Sequence, residues 1–253
     1  MITLDLDGWL TLEVFRTLLV FVRVSAAFMM LPGFGEPSVP VRIRILAGLA
    51  IAFCVSNAVS GMPAAVPDAG GTAMAAAAEA FSGILIGTLA RTIISGVLIA
   101  GQAIGQNVGI ANIFAPGLAI DQAATIGAVV YAGLIAIMFV SGGDRVILRA
   151  LVDSYGLLAP GQFPNVSASL RAVVNAGMAS FRLGCELAFP FLLLGLVFNA
   201  ALGVVNRALP AIPVFMIAHP ALVVIGLYLL AACAPGIMDA GLVRATDLAA
   251  LLH

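Results

Sequence analysis

The stretch from Gly101 to Asp121 reads GQAIGQNVGIANIFAPGLAID and separates two long apolar runs that carry almost no charge. Its first three glycines, Gly101, Gly105 and Gly109, are spaced four apart. On a helix they would share one column, where a neighbouring backbone can approach closely. Beyond Gly109 the pattern becomes an apolar loop, and irregular backbone at membrane depth is tolerated only inside protein or beside a cavity. The stretch therefore predicts a tightly packed helix that ends at a functional loop.

The loop from Ile110 to Leu118 has the composition of a movable plug. Its proline and the glycine after it stop the preceding helix from continuing, and a narrow apolar throat excludes ions because it does not stay wetted. The side chains expected to form this gating loop are Ile110, Ile113, Phe114, Pro116 and Leu118. The alternative is that the segment only connects two spans, as most loops do.

The composition identifies an integral membrane protein. Of the 253 residues, 62% are hydrophobic and 9% are charged, whereas a soluble domain carries roughly 25% charged residues. The formal net charge of −1 and the lack of a basic run give no reason to expect nucleic acid as a partner. The sequence contains no nucleotide-binding, zinc-protease or serine-hydrolase motif. We therefore expect no catalytic residue, no metal site and no cofactor.

The apolar runs indicate a polytopic, all-α protein. About six of them reach the length of about 20 residues that a helix needs to cross a bilayer. The segment from Gly142 to Arg182 differs, because its alternating charged and apolar residues predict an amphipathic or interfacial helix, which Pro160 to Ser167 then breaks. Arginines fall on both sides of the spans, so the positive-inside rule gives no orientation. Either one segment is re-entrant, or the helices do not cross as simple spans.

Charged residues inside the apolar runs are candidates for function. An arginine at mid-span costs roughly 2.5–3.5 kcal/mol on insertion scales, so it should face protein or an interface. Arg23 lacks a partner in its own helix, and we expect it to pair with a carboxylate elsewhere in the chain or on another subunit. The residues expected to be buried charges or subunit contacts are Arg23, Arg91, Glu186 and Arg207. The alternative is purely structural pairing, which could also involve Glu79.

Two functional classes fit these features. Proline-broken spans and an intramembrane carboxylate occur in secondary transporters of small solutes, but no second half of this chain resembles the first. A pore or gate subunit fits better, because small-residue columns give tight helix packing and an apolar loop can block ions. Gly83 and Gly87 form a GxxxG pair of this kind, in addition to the glycine column of the opening stretch.

Three motifs, in this order, resemble those of a known family. The first runs from Arg23 to Phe53, with an arginine in the first helix, a proline turn, and a Val-Pro pair before two basic residues. The second is IGQNVG, from Ile104 to Gly109, and the third runs from Leu187 to Pro220 with LAFP at its start. Together they resemble the FliR family, the R component of the flagellar type III protein export gate, which is related to the T component of injectisomes.

The resemblance implies a long, kinked all-α membrane protein with helical hairpins, which packs with P-type and Q-type export-gate subunits into a helical hetero-oligomer. In that family the assembly is cone-like and raised out of the bilayer plane, and a loop of the R component helps to close the channel. Unfolded flagellar proteins would pass through it, driven by further export components, and the chain itself would not be an enzyme. It would lie in the bacterial inner membrane, in contact with lipid, at the flagellar basal body.

The resemblance covers most of the chain, so we expect a single export-gate domain over residues 1–253. Its N-terminal half, residues 1–122, would end in the gating loop. Its C-terminal half would be residues 123–253.

Overall fold

The computed structural model describes residues 6–59, 61–108, 122–209 and 214–246. These residues form α-helices joined by short turns, with one 3-10 turn at Ser56–Ala58 and no strand among them. The helices are α1 (Leu6–Met30), α2 (Val41–Val55), α3 (Ala69–Val108), α4 (Gln122–Val140), α5 (Gly143–Leu157), α6 (Val166–Ala208) and α7 (Val214–Thr246). The all-α prediction is therefore confirmed for the part of the chain that the structure describes.

Two helices are far longer than a bilayer requires. α3 has 40 residues and α6 has 43, so at 1.5 Å per residue each is roughly 60 Å long, about twice the hydrocarbon thickness. α6 contains Pro190, and α7 contains Pro220 and Pro235. Each proline removes one backbone hydrogen bond from its helix, the usual cause of a kink.

Four described helices are long and apolar enough to cross a membrane, or five if α4 and α5 form one broken span. The sequence led us to expect about six. The difference includes α1, which carries Glu13, Arg16 and Arg23 within its apolar run. The interfacial helix expected after Gly142 is α5. It follows a glycine with φ +81° and ends before the turn at Pro160.

Contacts group the chain into two compact units. The described residues of the first unit lie between Leu6 and Ile93 and in Gly142–Ala176, and those of the second lie in Ile94–Ser141 and Gly177–Ala245. The boundaries at Ile93–Ile94 and Ala176–Gly177 fall inside the continuous helices α3 and α6, and the boundary at Ser141–Gly142 falls between α4 and α5. The division into halves at residue 122 stays a prediction.

The core of the first unit is built on one face of α1. Residues spaced four apart are wholly buried, as expected for one helical face: Leu19, Arg23 and Ala27 within the helix, and Leu31 directly after its end. The helix ends at Met30, and in the turn that follows it Gly33 adopts φ +83°, a conformation that favours glycine. An arginine thus occupies a position in the middle of an otherwise apolar buried stripe.

Candidate functional site

The predicted gating loop lies outside the described residues, as does Gly109. The structure describes the helices on each side of it: α3, which ends at Val108, and α4, which begins at Gln122. The described residues form two arrangements: the buried charges of the first unit, and the helix packing of the second unit up to the last residue before the loop region.

Arg23 forms a buried salt bridge with Glu79 of α3. Both side chains are 0% exposed. The Arg23 Nε donates to Glu79 Oε2 at 2.5 Å, and its Nη2 donates to Oε1 at 3.1 Å. This is the bidentate geometry in which a guanidinium and a carboxylate bind each other most strongly. The carboxylate that Arg23 requires is therefore supplied within the same chain.

The pair also binds the end of α5 and the turn after it. Arg23 donates to the carbonyl of Leu158 at 3.0 Å and to Ser154 Oγ at 3.4 Å. Its guanidinium lies 3.8 Å from the centre of the Tyr155 ring, a cation–π contact. Glu79 Oε1 accepts the backbone N–H of Gly161 at 2.7 Å. We call these groups the Arg23–Glu79 cluster.

The Arg23–Glu79 cluster connects three helices that are far apart in sequence. Removing one member of a buried ion pair costs about 3–5 kcal/mol, because the other charge is left without compensation in a poor solvent for it. Sequence reasoning identified the need of Arg23 for a carboxylate but not which one. It did not predict that α5 contributes to this cluster, because the pattern of an amphipathic or interfacial helix does not identify what its apolar face contacts.

Close backbone contact accompanies the ion pair. A Cβ atom added at Gly83 would lie 2.2 Å from the Arg23 carbonyl oxygen, and one at Gly87 would lie 2.7 Å from that of Ala27. Real Cβ atoms do not approach other atoms this closely, so only glycine fits at both positions. The GxxxG pair of α3 therefore lies directly against α1, beside the arginine that the same helix neutralises with Glu79.

In the second unit, glycines bring helix backbones together. A Cβ at Gly101 of α3 would lie 2.6 Å from the Cα of Gly127 in α4. A Cβ at Gly96 would lie 2.4 Å from the carbonyl oxygen of Ser180 in α6, and the Ser95 and Ser180 hydroxyls are 3.2 Å apart. Association of helices in lipid depends on this kind of packing, because no hydrophobic effect drives them together there.

The last turn of α3 is held by two further glycines. A Cβ at Gly195 of α6 would lie 2.9 Å from Asn107 Oδ1, and one at Gly226 of α7 would lie 2.2 Å from Val108 Cγ1. Asn107 also donates to the carbonyl of Ala103 at 2.9 Å, and Gly105 is buried. The helix end that precedes the predicted gating loop is thus fixed against α6 and α7. Sequence spacing showed the column on α3 but not these partners.

Three residues expected to be buried charges are exposed in this chain: Arg91, Glu186 and Arg207. Glu186 accepts a hydrogen bond from Arg182, one turn away, at 2.7 Å. Burial within the chain was therefore wrong for them, because much of the apolar surface of these helices faces outward. Phe53, Tyr228 and many other large apolar side chains are exposed in the same way. Contact of the three residues with other subunits stays a prediction.

The described residues contain no group of three His, Cys, Asp or Glu side chains that could hold a metal ion. The described part of the chain presents helix packing, one buried ionic cluster and a large apolar exterior. This arrangement suits assembly within a membrane.

Comparison with known proteins gives a consistent result. The model of the family described as bacterial export proteins, family 1, matches residues 14–245. A flagellar biosynthetic protein FliR from Caulobacter vibrioides is 31% identical over 231 residues, which cover 89% of this chain and 90% of that protein. Proteins of the same name from Escherichia coli and Aquifex aeolicus are 30% and 29% identical, and the matches cover 90% and 84% of this chain and 86% and 83% of those proteins.

Proposed function

Since this chain belongs to the FliR family of bacterial export proteins, we propose that it forms part of the membrane gate for flagellar protein export, together with P-type and Q-type subunits. It is a component of the flagellar export apparatus. Unfolded flagellar proteins would be its cargo in transit, and further export components would drive them. Family membership disfavours the alternative of a small-solute transporter.

The observation that carries this proposal is the fixed end of α3. Val108 is packed against Gly226 of α7, and Asn107 is packed against Gly195 of α6. A segment that opens and closes needs a rigid base, because a mobile base would spread its motion into the packing around it. The gating loop, from Ile110 to Leu118, begins directly after this base and has the apolar side chains that exclude ions by dewetting.

The exterior of the chain supports assembly with other subunits. Large apolar side chains along α2 are exposed, among them Leu46 and Phe53. A groove of about 680 Å³ lies between α1 on one side and α2 with the 3-10 turn on the other. Its apolar lining includes Leu10, Val14, Leu18, Phe21 and Leu49. Exposed apolar surface on this scale would be covered by partner subunits and by membrane lipid. Arg207 and Glu186 would lie at such subunit contacts.

The membrane in question would be the bacterial inner membrane at the flagellar basal body. The apolar helices and the export family place the chain in a bacterial membrane. The proposed role needs neither a cofactor nor nucleic acid, because a gate subunit shapes a passage and catalyses no reaction.

The test is assembly with the partner subunits. The tagged chain would be expressed in flagellated cells with P-type and Q-type subunits and, separately, without them. With the partners present, it is expected to purify in mild detergent as one large hetero-oligomer, and to restore swimming in a strain that lacks its own R component. A chain that runs as a monomer or small homo-oligomer in both cases, and restores no swimming, would contradict the proposal.

A further inference from the structure

α6 continues well past the point at which α3 ends. The two helices run in the same direction within the second unit, because Gly96 of α3 lies against Ser180 of α6 and, farther along both helices, Asn107 lies against Gly195. α3 ends at the residue after Asn107, whereas α6 continues for about three more turns. At a rise of 1.5 Å per residue, the part of α6 from Gly195 to Arg207 extends about 18 Å beyond this contact.

This part of α6 carries a polar face. Four of its residues fall within an arc of about 100° that starts close to the direction in which Gly195 points: Asn199, Gly203, Asn206 and Arg207. We call these four residues the polar face of α6. All four are exposed. The side of α6 that packs against α3 therefore continues past α3 without a covering helix.

The chain itself provides no partner for the polar face within its described residues. None of them forms a hydrogen bond or a salt bridge with the side chain of Asn199, Asn206 or Arg207. A Cβ added at Gly195 would lie 2.9 Å from an atom of α3, whereas one added at Gly203 would meet nothing within 4 Å. The close packing at Gly195 is thus not repeated at Gly203.

The surroundings of the polar face are apolar and exposed. Leu196 and Val204, which lie among its residues in the sequence, are 67% and 72% exposed. Apolar surface on this scale is normally covered by protein or by lipid. Either cover would take water away from the two amides and the guanidinium, and hydrocarbon offers them no hydrogen bond in return. A protein surface with polar groups of its own avoids this cost.

The connection between α3 and α4, residues 109–121, is short for this role. It would have to reach about 18 Å to Arg207 and return as far to α4, which packs beside α3 where Gly127 meets Gly101. A segment of this length spans at most roughly 43–47 Å when fully extended. Covering the polar face would therefore use most of the segment and leave little of it for the predicted gating loop. This favours a second chain as the cover.

We propose that a helix of a neighbouring export-gate subunit packs on the polar face of α6, in the line that α3 leaves open. This inference rests on the proposed function. The open space at Gly203 suits the close approach of another backbone. Each asparagine can donate and accept hydrogen bonds, and the guanidinium of Arg207 prefers a carboxylate, with which it can form parallel hydrogen bonds. The partner helix is thus identified by a small residue, a hydrogen-bonding side chain and a carboxylate on one side.

The experiment compares two additions of the same side chain. The tagged chain is expressed with P-type and Q-type subunits, and the fraction recovered in the hetero-oligomer is measured for Gly203→Leu and Ala201→Leu. Ala201 is also exposed but lies on the opposite side of α6, two residues away, so it is the matched control. Gly203→Leu is expected to lower the recovered fraction about tenfold, as for an overpacked contact. Ala201→Leu should match the parent chain.

The charge is tested separately. Arg207→Glu is expected to lower the recovered fraction at least about tenfold, as for a disrupted interfacial charge pair, and Arg207→Lys should lose less. A photo-reactive residue at Ala200, at the edge of the polar face, is expected to crosslink to a P-type or Q-type subunit. Replacing an acidic residue of that subunit near the crosslink by arginine should restore assembly with Arg207→Glu.

A measurement without partners shows whether the variants still fold. The free energy of unfolding of the isolated chain in detergent is expected to be no lower in Gly203→Leu than in the parent, because nothing lies within 4 Å of a Cβ there. If Gly203→Leu did not fold alone, the comparison of Arg207→Glu with Arg207→Lys would decide.

The outcomes separate this inference from the proposed function. Equal recovery of Gly203→Leu and Ala201→Leu, or of Arg207→Glu and the parent chain, would show that the inference is wrong, and the gate assignment would stand. The same holds if the probe at Ala200 labels only lipid, only exported protein or only residues 109–121 of its own chain. If the parent chain recovers no partner subunit, both are wrong.

Discussion

The two units of this chain differ in what holds their helices together: close glycine contacts occur in both, and the described residues of the first unit also contain a buried ion pair. In the first unit, the Arg23–Glu79 cluster connects α1, α3 and the end of α5 through charged, directional hydrogen bonds. In the second, glycines such as Gly101 and Gly226 let helices approach until backbones or short side chains touch. The ion pair depends on which side chains are present, whereas the glycine contacts depend on the absence of a side chain.

The difference shows how one arrangement of helices can be favoured over others in a membrane, where no hydrophobic effect drives helices together. A buried ion pair is costly to form, but it strongly disfavours any arrangement that separates its charges. Glycine contacts are weak individually and depend on shape. The second unit, in which α3 ends at Val108, relies mostly on glycine contacts. Contacts of this kind place no charge beside the helix end. An apolar throat at that point would stay dry for the same reason.

The largest effect is expected from breaking the ion pair. Glu79→Ala leaves the Arg23 guanidinium buried without a counter-charge, which should cost about 3–5 kcal/mol of unfolding free energy. The Gly161 N–H also loses its acceptor. The measurement is the free energy of unfolding in mixed detergent, together with the level of the chain in the membrane. We expect little folded chain to accumulate.

The double variant Arg23→Met with Glu79→Leu is the control for this prediction. Because it removes both charges and replaces them with apolar groups of similar size, it should recover most of the loss caused by Glu79→Ala. The free energy of unfolding would still be lower than that of the parent chain, since the Leu158 carbonyl and the Gly161 N–H remain without partners. A double variant as unstable as Glu79→Ala would show that the cluster acts through packing and not through charge.

The ion pair also shows what sequence can and cannot predict here. Arg23 lies in the first apolar run, and the cost of an unpaired charge there predicts that a carboxylate must exist. Nothing in the spacing identifies Glu79, which lies 56 residues away, because two helices of unknown orientation can pair at many registers. Tyr155 and Ser154 were missed for a different reason. The charges of α5 were visible in the sequence, whereas the face on which Ser154 and Tyr155 lie is defined by contact with Arg23 of α1.

A smaller effect is expected from filling a glycine contact. Gly101→Ala would place a Cβ 2.6 Å from the Cα of Gly127. Backbone on both sides cannot give way cheaply, so α3 and α4 must separate, at a cost of about 1–3 kcal/mol, as for overpacked cores. The measurement is again the unfolding free energy of the isolated chain in detergent.

Gly203→Ala in α6 is the matched control for the glycine contact. Nothing lies within 4 Å of a Cβ at Gly203, so alanine should be neutral there or stabilise the helix by up to about 1 kcal/mol through its higher helix propensity. Equal losses at Gly101 and Gly203 would mean that the second unit is not specified by close backbone contact. If Gly101→Ala and Glu79→Ala lowered the free energy of unfolding equally, the ion pair would not be the stronger of the two interactions, and the two units would not differ in this respect.

The glycine contacts mark a second limit of sequence reasoning. The spacing of Gly101 and Gly105 predicts a column on one helix, because helical geometry is local. The residues that pack against α3, Gly127 beside Gly101 and Gly195 beside Asn107, stand in no pattern with that column. They can be found only once the helices are placed together.

The smallest effect on stability, and the most specific effect on function, is expected from the gating loop. Deleting residues 111–118 removes apolar side chains but none of the described contacts that fix the end of α3, namely those of Asn107 and Val108 with α6 and α7. The chain should therefore still assemble with its partner subunits at a normal level. The closed channel should become permeable to small ions, because the throat loses the side chains that keep it dry. The measurement is ion flux into vesicles that carry the assembled complex, with growth at raised salt as a cellular readout.

Phe114→Ser, which keeps the loop length but adds a polar group, should give a smaller leak in the same direction. If the deletion complex assembles and stays as tight as the parent, the gate lies elsewhere and this segment only connects α3 to α4.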